Sequence, residues 1–344
     1  MGKNGFSFRS ATACFIAIIF VLSITGFSRA EVNPRYKPIG PQASVKKSGL
    51  DGEITTVFGT GAQGQSEYTM DHPRLIQKDS KGRIWFVDGS QKNAKLRYLE
   101  NNRITTVADL VKSKFNYQGY FLASGLAIMN DKVYLAGEGN VFTLTEGHII
   151  PLDSKINKYM KENQYAHIFR MEQYKGELYL MLLDKSFQYG FVKYSLVTKK
   201  IEEVLPRKSY NAPMNFYVHD KGILIACKSG YILYEQFFPR QSYMVLNASE
   251  DAIMDVFLDQ NKDVYYMAWA NQSYVKIKML PYDDEEAVIE VAGSIRGYQD
   301  GYRQEAQMDY STDFYWDGSG MLFGDMGNHA IRKLWLSTKP SNAN

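Results

Sequence analysis

Cysteine is nearly absent from this 344-residue chain, which has two, Cys14 and Cys227. Cys14 lies in an N-terminal apolar stretch expected to be removed. No intrachain disulfide can then form, and stability has to come from a buried core. Cys227 ends the apolar run Ile223 to Cys227 and is expected to be a buried, inert thiol. A surplus of one charge is missing too: 40 basic residues stand against 37 acidic ones, and loss of residues 1–30 would take Lys3, Arg9 and Arg29 with no acid, leaving the totals level. Nucleic-acid binders draw most of their affinity from clustered basic groups, so that class is not expected. Long apolar runs are missing apart from Ala11 to Phe27, which is broken by Thr12, Ser23, Thr25 and Gly26. It is shorter than the ~20 residues of a spanning helix. With Lys3 and Arg9 before it and Ser28-Arg29-Ala30 after it, residues 1–30 read as an export signal whose removal leaves Glu31 first. The competing reading is an uncleaved anchor. Cys14 has no Leu three residues upstream, so lipid attachment there is not expected. Also missing are a Gly-x-Ser-x-Gly elbow and a Cys–His pair, so covalent catalysis is not supported.

Aromatics are abundant at 14%, with 25 Tyr beside 27 Gly and 10 Pro, a balance that favours many short strands over helices. Removing the signal leaves about 290 folded residues, more than one compact core usually holds. Repetition resolves that conflict. The stretch from Val288 to Leu334, VIEVAGSIRGYQDGYRQEAQMDYSTDFYWDGSGMLFGDMGNHAIRKL, is echoed at its start by Ile54 to Gln65, ITTVFGTGAQGQ. A β-rich run, a Gly-rich loop ending in Asp300-Gly301, the turn Asp317-Gly318-Ser319-Gly320, a second strand, an Asn-His turn and a third strand follow in order. This order resembles the NHL repeat, one blade of a β-propeller, with Ala292-Gly293, Asp300-Gly301, Ala306, Gly324-Asp325 and Asn328-His329-Ala330-Ile331-Arg332 in family positions.

Polar turns count the blades. Six occur, marked by Gly82, Asp131, Gly176, Gly222, Asp263 and Gly320, at spacings of roughly 41 to 57 residues, the length of a four-stranded blade. Apolar second strands follow each: 83–88, 132–136, 177–183, 223–227, 264–268 and 321–325. Five units have a fourth strand of their own. The sixth runs out of chain and would borrow residues 54–58, sealing the ring and removing a sheet edge. The fold expected is therefore all-β: a six-bladed β-propeller of four-stranded blades over 53–336, after an extended linker at 31–52 and before a flexible tail at 337–344.

In such a ring the loops between blades converge on one mouth of the central channel. Alignment of the landmarks places His72, Arg74, His167, Asn215, Asp255 and Asp313 there as candidate ligand-binding residues. Replacing Arg74, Asn215 and Asp313 is expected to leave the fold intact. Asn215, Asp251 and Asp313 are oxygen ligands suited to calcium and loosely resemble the Glu, Asn and Asp set of six-bladed lactonases, for which the nearest glutamate is Glu67. The competing reading has these side chains satisfying one another or water. His72 and His167 resemble the His cluster of zinc-dependent amidating lyases of the same fold, but His219 and His329 sit at turns and no third His is placed at the mouth. Asp325 and Asn328 are expected to cap backbone groups, and Arg332 to lie against the neighbouring blade. The run Asp283 to Glu286 reads as a solvated loop, and Asn247-Ala248-Ser249 and Asn271-Gln272-Ser273 fit the glycosylation sequon.

The function expected is a secreted or surface-associated, monomeric, non-catalytic propeller, without cofactor and without stable membrane insertion. It would bind an extracellular protein, peptide or glycan through its loop face, with the aromatics of Phe115 to Tyr120 and Phe237 to Arg240 as anchors. The alternative is a metal-dependent lactonase or lyase with calcium or zinc in the channel.

Overall fold

The computed structural model describes residues 51–341 apart from 249, 271–273, 285 and 286. The export signal, nearly all of the linker, the sequon at 271–273, position 249 of the other sequon and part of the acidic run lie outside the described residues. What is described is a ring of six antiparallel sheets, a six-bladed β-propeller. From the inside outward, blade 1 is Arg74–Lys78, Ile84–Asp88, Lys95–Glu100 and Arg103–Asp109. Blade 2 is Ala123–Met129, Lys132–Gly137, Asn140–Thr145 and His148–Pro151. Blade 3 is Tyr165–Tyr174, Glu177–Asp184, Tyr189–Ser195 and Ile201–Lys208. Blade 4 is Pro213–His219, Gly222–Cys227, Tyr231–Gln236 and Gln241–Asn247, and blade 5 is Asp251–Leu258, Val264–Ala270, Tyr274–Leu280 and Ile289–Ala292.

Blade 6 contributes Tyr315–Trp316, Gly320–Asp325 and Ala330–Trp335, and its fourth strand comes from the other end of the chain. Glu53–Phe58 pairs antiparallel with Ala330–Trp335, Thr55 opposite Lys333 and Thr56 opposite Arg332. On its other side it pairs with Gly301–Tyr302. Ile54 is fully buried, the Trp335 indole donates to the Thr55 hydroxyl at 3.0 Å, and Asp300 accepts from both the backbone N–H and the hydroxyl of Thr56.

Local turn chemistry builds the hairpins. Asn130 and Asp131, and Lys175 and Gly176, have the paired positive φ of two-residue hairpins, which suit the strand twist. At the wider turns an aspartate gathers backbone donors: Asp79 accepts from Lys81 and Arg83 N–H, and Asp259 from Asp263 N–H, which replaces ladder bonds the turn cannot make. Apolar side chains from neighbouring sheets interleave between blades, and Cys227 is buried among them, its thiol pushed up to about 12 by that burial.

One element was not foreseen, and one expectation is corrected. A helix, Ser154–Glu162, stands between blades 2 and 3, capped by the Asp153 carboxylate and anchored through Ile156 and Met160. Residues 337–341 are not a loose tail. Ser337 N–H donates to Asp51, next to the borrowed strand, and the Thr338 hydroxyl donates to Asp259 and Ser341 N–H to the Leu258 carbonyl, so residues 338–341 are stitched onto blade 5.

Blades 1 and 6 share a buried clamp. Asp88 accepts from Asp71 N–H at 2.7 Å and from Arg97 at 2.6 Å, while Arg97 also donates to the carbonyls of Thr69 and Ser66. In blade 6 Asp325 accepts from Asp309 N–H and Arg332, and Arg332 reaches the carbonyls of Gln307 and Gln299. The same pair thus pins the long loop entering each blade. Asn328 caps as expected, donating to Asp325 and to the Gly297 carbonyl. Arg332 is instead buried inside its own blade.

Candidate functional site

Each inner strand starts at the loop from the preceding blade and each second strand returns to the same face. The between-blade loops and the turns between second and third strands therefore share one mouth. The inner strands of blades 1 to 5 each carry a register shift near that mouth, between Arg74 and Gln77, Ala123 and Gly125, Ile168 and Arg170, Pro213 and Asn215, and Ile253 and Asp255. A bulge redirects the side chain beside it. At this level the six blades offer Arg74, Gly125, Arg170, Asn215, Asp255 and, from blade 6, Asp313.

The acids are committed. Asp255 accepts from its own neighbour Val256 N–H at 2.8 Å and from Phe314 N–H of the next blade at 2.6 Å. Asp313 accepts from the Thr312 hydroxyl at 2.8 Å and from Ile76 N–H of blade 1 at 3.0 Å. Each carboxylate thereby ties one blade to the next, which corrects the expectation that Asp313 is dispensable to the fold. We expect Asp313→Ala to lower the melting temperature by roughly 5 °C or more, since it leaves a buried backbone donor unsatisfied; an unchanged melting curve would overturn this. Asn215 accepts from Phe216 N–H within its own strand. Asp251 is spent on Lys278 at 2.5 Å, so it does not join Asn215 and Asp313 in an oxygen-ligand set.

Arg74 differs from the acids. Its guanidinium donates to the Gly89 carbonyl, and among the described residues no carboxylate lies within 4.0 Å of it. Burial pulls its pKa down to about 10, with Asp313 and Asp88 acting against that and Arg170 adding to it. Arg74 is enclosed by protein yet keeps accessible surface, as a channel-lining group does. Glu172 has the same character; burial, then the charges of Asp255 and Asp313, push its carboxyl well above the usual range. Arg170 and Glu172 are the residues missed in the sequence: the bulge between Ile168 and Arg170 breaks the alternation that would have shown which face they take. His167 is half-buried at the start of that strand, and burial lowers its pKa.

His72 meets a partner not foreseen, because closure brings blade 6 against blade 1. Asp71, His72 and His329 offer ligand atoms within 4.8 Å of one another, with the two imidazole centres 5.0 Å apart. The geometry is that of a hydrogen-bonded cluster. His72 Nδ1 lies 2.5 Å from the Asp71 carboxylate, which also accepts from Gln63 and Asn93. Two ligands on one zinc ion, each at ~2.1 Å and tetrahedrally placed, would sit about 3.4 Å apart.

On the mouth face, Tyr117 and Tyr120 bond each other's backbone and stay partly exposed, whereas Phe115 is turned inward onto Phe142. Phe238, 89% exposed, lies in the turn between the outer strands of blade 4, away from the mouth. A separate depression of about 630 Å³ on the outer side of blade 1 is lined by Glu67 and Arg103, which pair at 2.7 Å.

Burial, opposed by bonds from Phe314 and Val256 N–H, raises Asp255 to about 8. A carboxyl whose folded pKa exceeds its unfolded value of ~3.9 holds its proton in the fold, so its stabilising effect is lost as pH rises through the folded pKa. His167 and His329, lowered by burial, act the opposite way below about pH 6.5. Between about pH 6.5 and 8.5 the wild-type melting temperature should therefore fall, and Asp255→Asn should flatten that slope. Parallel curves for the two proteins would refute the assignment.

No family model matches the chain, and no curated protein matches it in sequence. Solved structures do match in shape. A structural genomics protein of unknown function from Bacteroides thetaiotaomicron aligns over 83% of this chain and 76% of its own, with a TM-score of 0.59 and 14% identity. A luciferin-regenerating enzyme aligns over 83% of this chain and 96% of its own, with a TM-score of 0.54 and 10% identity. At these identities the likeness shows the propeller fold alone.

Proposed function

We propose that this chain is an NHL-type propeller, exported and either secreted or held at the cell surface, that captures an extracellular peptide, protein or glycan at its channel mouth without covalent chemistry. The observation that carries this reading is the set of polar residues at the level of the bulges, where five of the six blades place a charged or amide side chain. Asp255 and Asp313 spend their polarity on joining blades, whereas the Arg74 guanidinium has no carboxylate within 4.0 Å among the described residues, and buried polar groups cost stability unless paired. Tyr117 and Tyr120 border the mouth as amphipathic anchors. The N-terminal apolar run, with its basic start and small-residue end, supports export.

The test separates ring from rim. Arg74→Gln with His167→Ala should retain the wild-type melting temperature and lose capture of a partner from native extracellular material. Tyr117→Ala with Tyr120→Ala should weaken capture about tenfold through lost aromatic contact. Full capture by both double variants would remove the mouth as the site.

A further inference from the structure

We infer that the channel mouth takes its ligand by an oxyanion, a carboxylate in the first instance, held by Arg74 on the side of the ring where blade 2 presents Ser124 and Gly125. The inference rests on the mouth being the binding site.

Buried cations in folded proteins are paired, because desolvation is repaid by an opposite charge close by. Among the described residues the buried Arg97 pairs with Asp88 and the buried Arg332 with Asp325. Arg74, enclosed beside them, has no such partner. The nearby acids do not serve it: both oxygens of Asp313 and both of Asp255 already accept from other groups, and Asp71 is held by His72, Gln63 and Asn93. A guanidinium with an open fork is matched to a carboxylate or phosphate edge.

The neighbouring blade supplies a donor. The inner strand of blade 2 runs beside that of blade 1. At the level of the ring it has Gly125, which adds no side chain of its own; a Cβ there would lie 2.5 Å from Met171 Cβ, so the inner strand of blade 3 packs directly against it. Ser124, next to it, is buried and its hydroxyl has no partner among the described residues. A buried hydroxyl left unpaired costs about 1–3 kcal/mol, and an oxyanion beside it would accept its proton. Arg170 adds a second positive charge that Arg74 feels. Carboxylate and phosphate share the edge that a guanidinium fork matches, and the salts used in the test distinguish them.

The full chain is melted in sodium acetate, sodium phosphate or sodium chloride at matched ionic strength and pH 7. Acetate should raise the wild-type melting temperature saturably above the chloride control, as binding to the folded state requires. Arg74→Gln should lose that rise, Ser124→Ala should weaken acetate about tenfold by removing one hydrogen bond to a charged group, and Arg74→Lys should keep part of it as a point charge. In chloride alone Arg74→Gln should melt at or above wild type, because it removes an uncompensated buried charge. A larger effect of phosphate would assign the site to phosphate esters. Equal curves in all three salts, or an acetate effect unchanged in Arg74→Gln, would overturn the inference. If acetate fails while Arg74→Gln with His167→Ala still abolishes partner capture, the mouth stands and only the oxyanion falls. If capture also persists, both fall.

Discussion

A chain beginning at Thr60 should fail to give a cooperative melt at temperatures where a chain beginning at Asp51 is folded. The nine residues between them include one strand that is hydrogen-bonded on both sides, to Ala330–Trp335 and to Gly301–Tyr302. Its loss exposes the edge of Ala330–Trp335, empties the site of the fully buried Ile54 and strips Asp300 of both its Thr56 donors. Removing one buried Ile side chain alone costs roughly 2–5 kcal/mol, a large share of the 5–15 kcal/mol that holds a typical domain. Open sheet edges also recruit other chains, so the shorter protein should elute as aggregates in size exclusion. Equal melting temperatures for the two truncations would refute closure by this strand.

The second large effect is expected at the clamp of blade 1. Asp88 and Arg97 are buried side by side, and removing one partner leaves the other as an uncompensated buried charge, at a cost of about 3–5 kcal/mol. Arg97→Met or Asp88→Leu should therefore lower the melting temperature by roughly 6–20 °C. The double variant Asp88→Leu with Arg97→Met should recover much of that loss, because well-fitted apolar side chains often replace a buried pair at little cost. Arg97→Met also frees the carbonyls of Thr69 and Ser66, so limited proteolysis should cut first within residues 60–70. Single variants as stable as wild type would show the pair to be incidental.

Much of the architecture was legible because it is written locally. Turn aspartates and glycines act within four residues of themselves, and the six landmarks fall in the six hairpins observed. The borrowed strand was legible because Ile54 to Gln65 echoes the start of the last repeat. What escaped depends on contacts the sequence does not place side by side. His329 looked like a turn residue until closure set it against His72, 257 positions away. Arg170 and Glu172 sit beyond a bulge, and one extra residue inverts every later alternation. The helix Ser154–Glu162 was hidden by its length, although Asp153 followed by Ile156 and Met160 has a cap and one apolar stripe. The Asp88–Arg97 clamp was missed because blade 1 keeps the repeat's acid and base but not the Asn-His turn between them. Of the six mouth residues, Arg74, Asp255 and Asp313 do interact electrostatically. The sequence could not say that the two acids are tied to donors of the next blade while the arginine meets no carboxylate within 4.0 Å among the described residues.

Seen in time rather than space, the borrowed strand makes the first described strand to be synthesised wait for the last. Thr55 and its partner Trp335 are 280 positions apart, so at ~5–20 residues per second Glu53–Phe58 spends roughly 15–60 s without its mate. Five blades can form as local hairpins during that interval, but the ring stays an open arc with two bare edges. Contacts of such sequence separation are slow to make. Folding to completion therefore belongs after the whole chain has arrived, and any partner that covers residues 53–58 during the wait governs how much of the protein reaches its closed form.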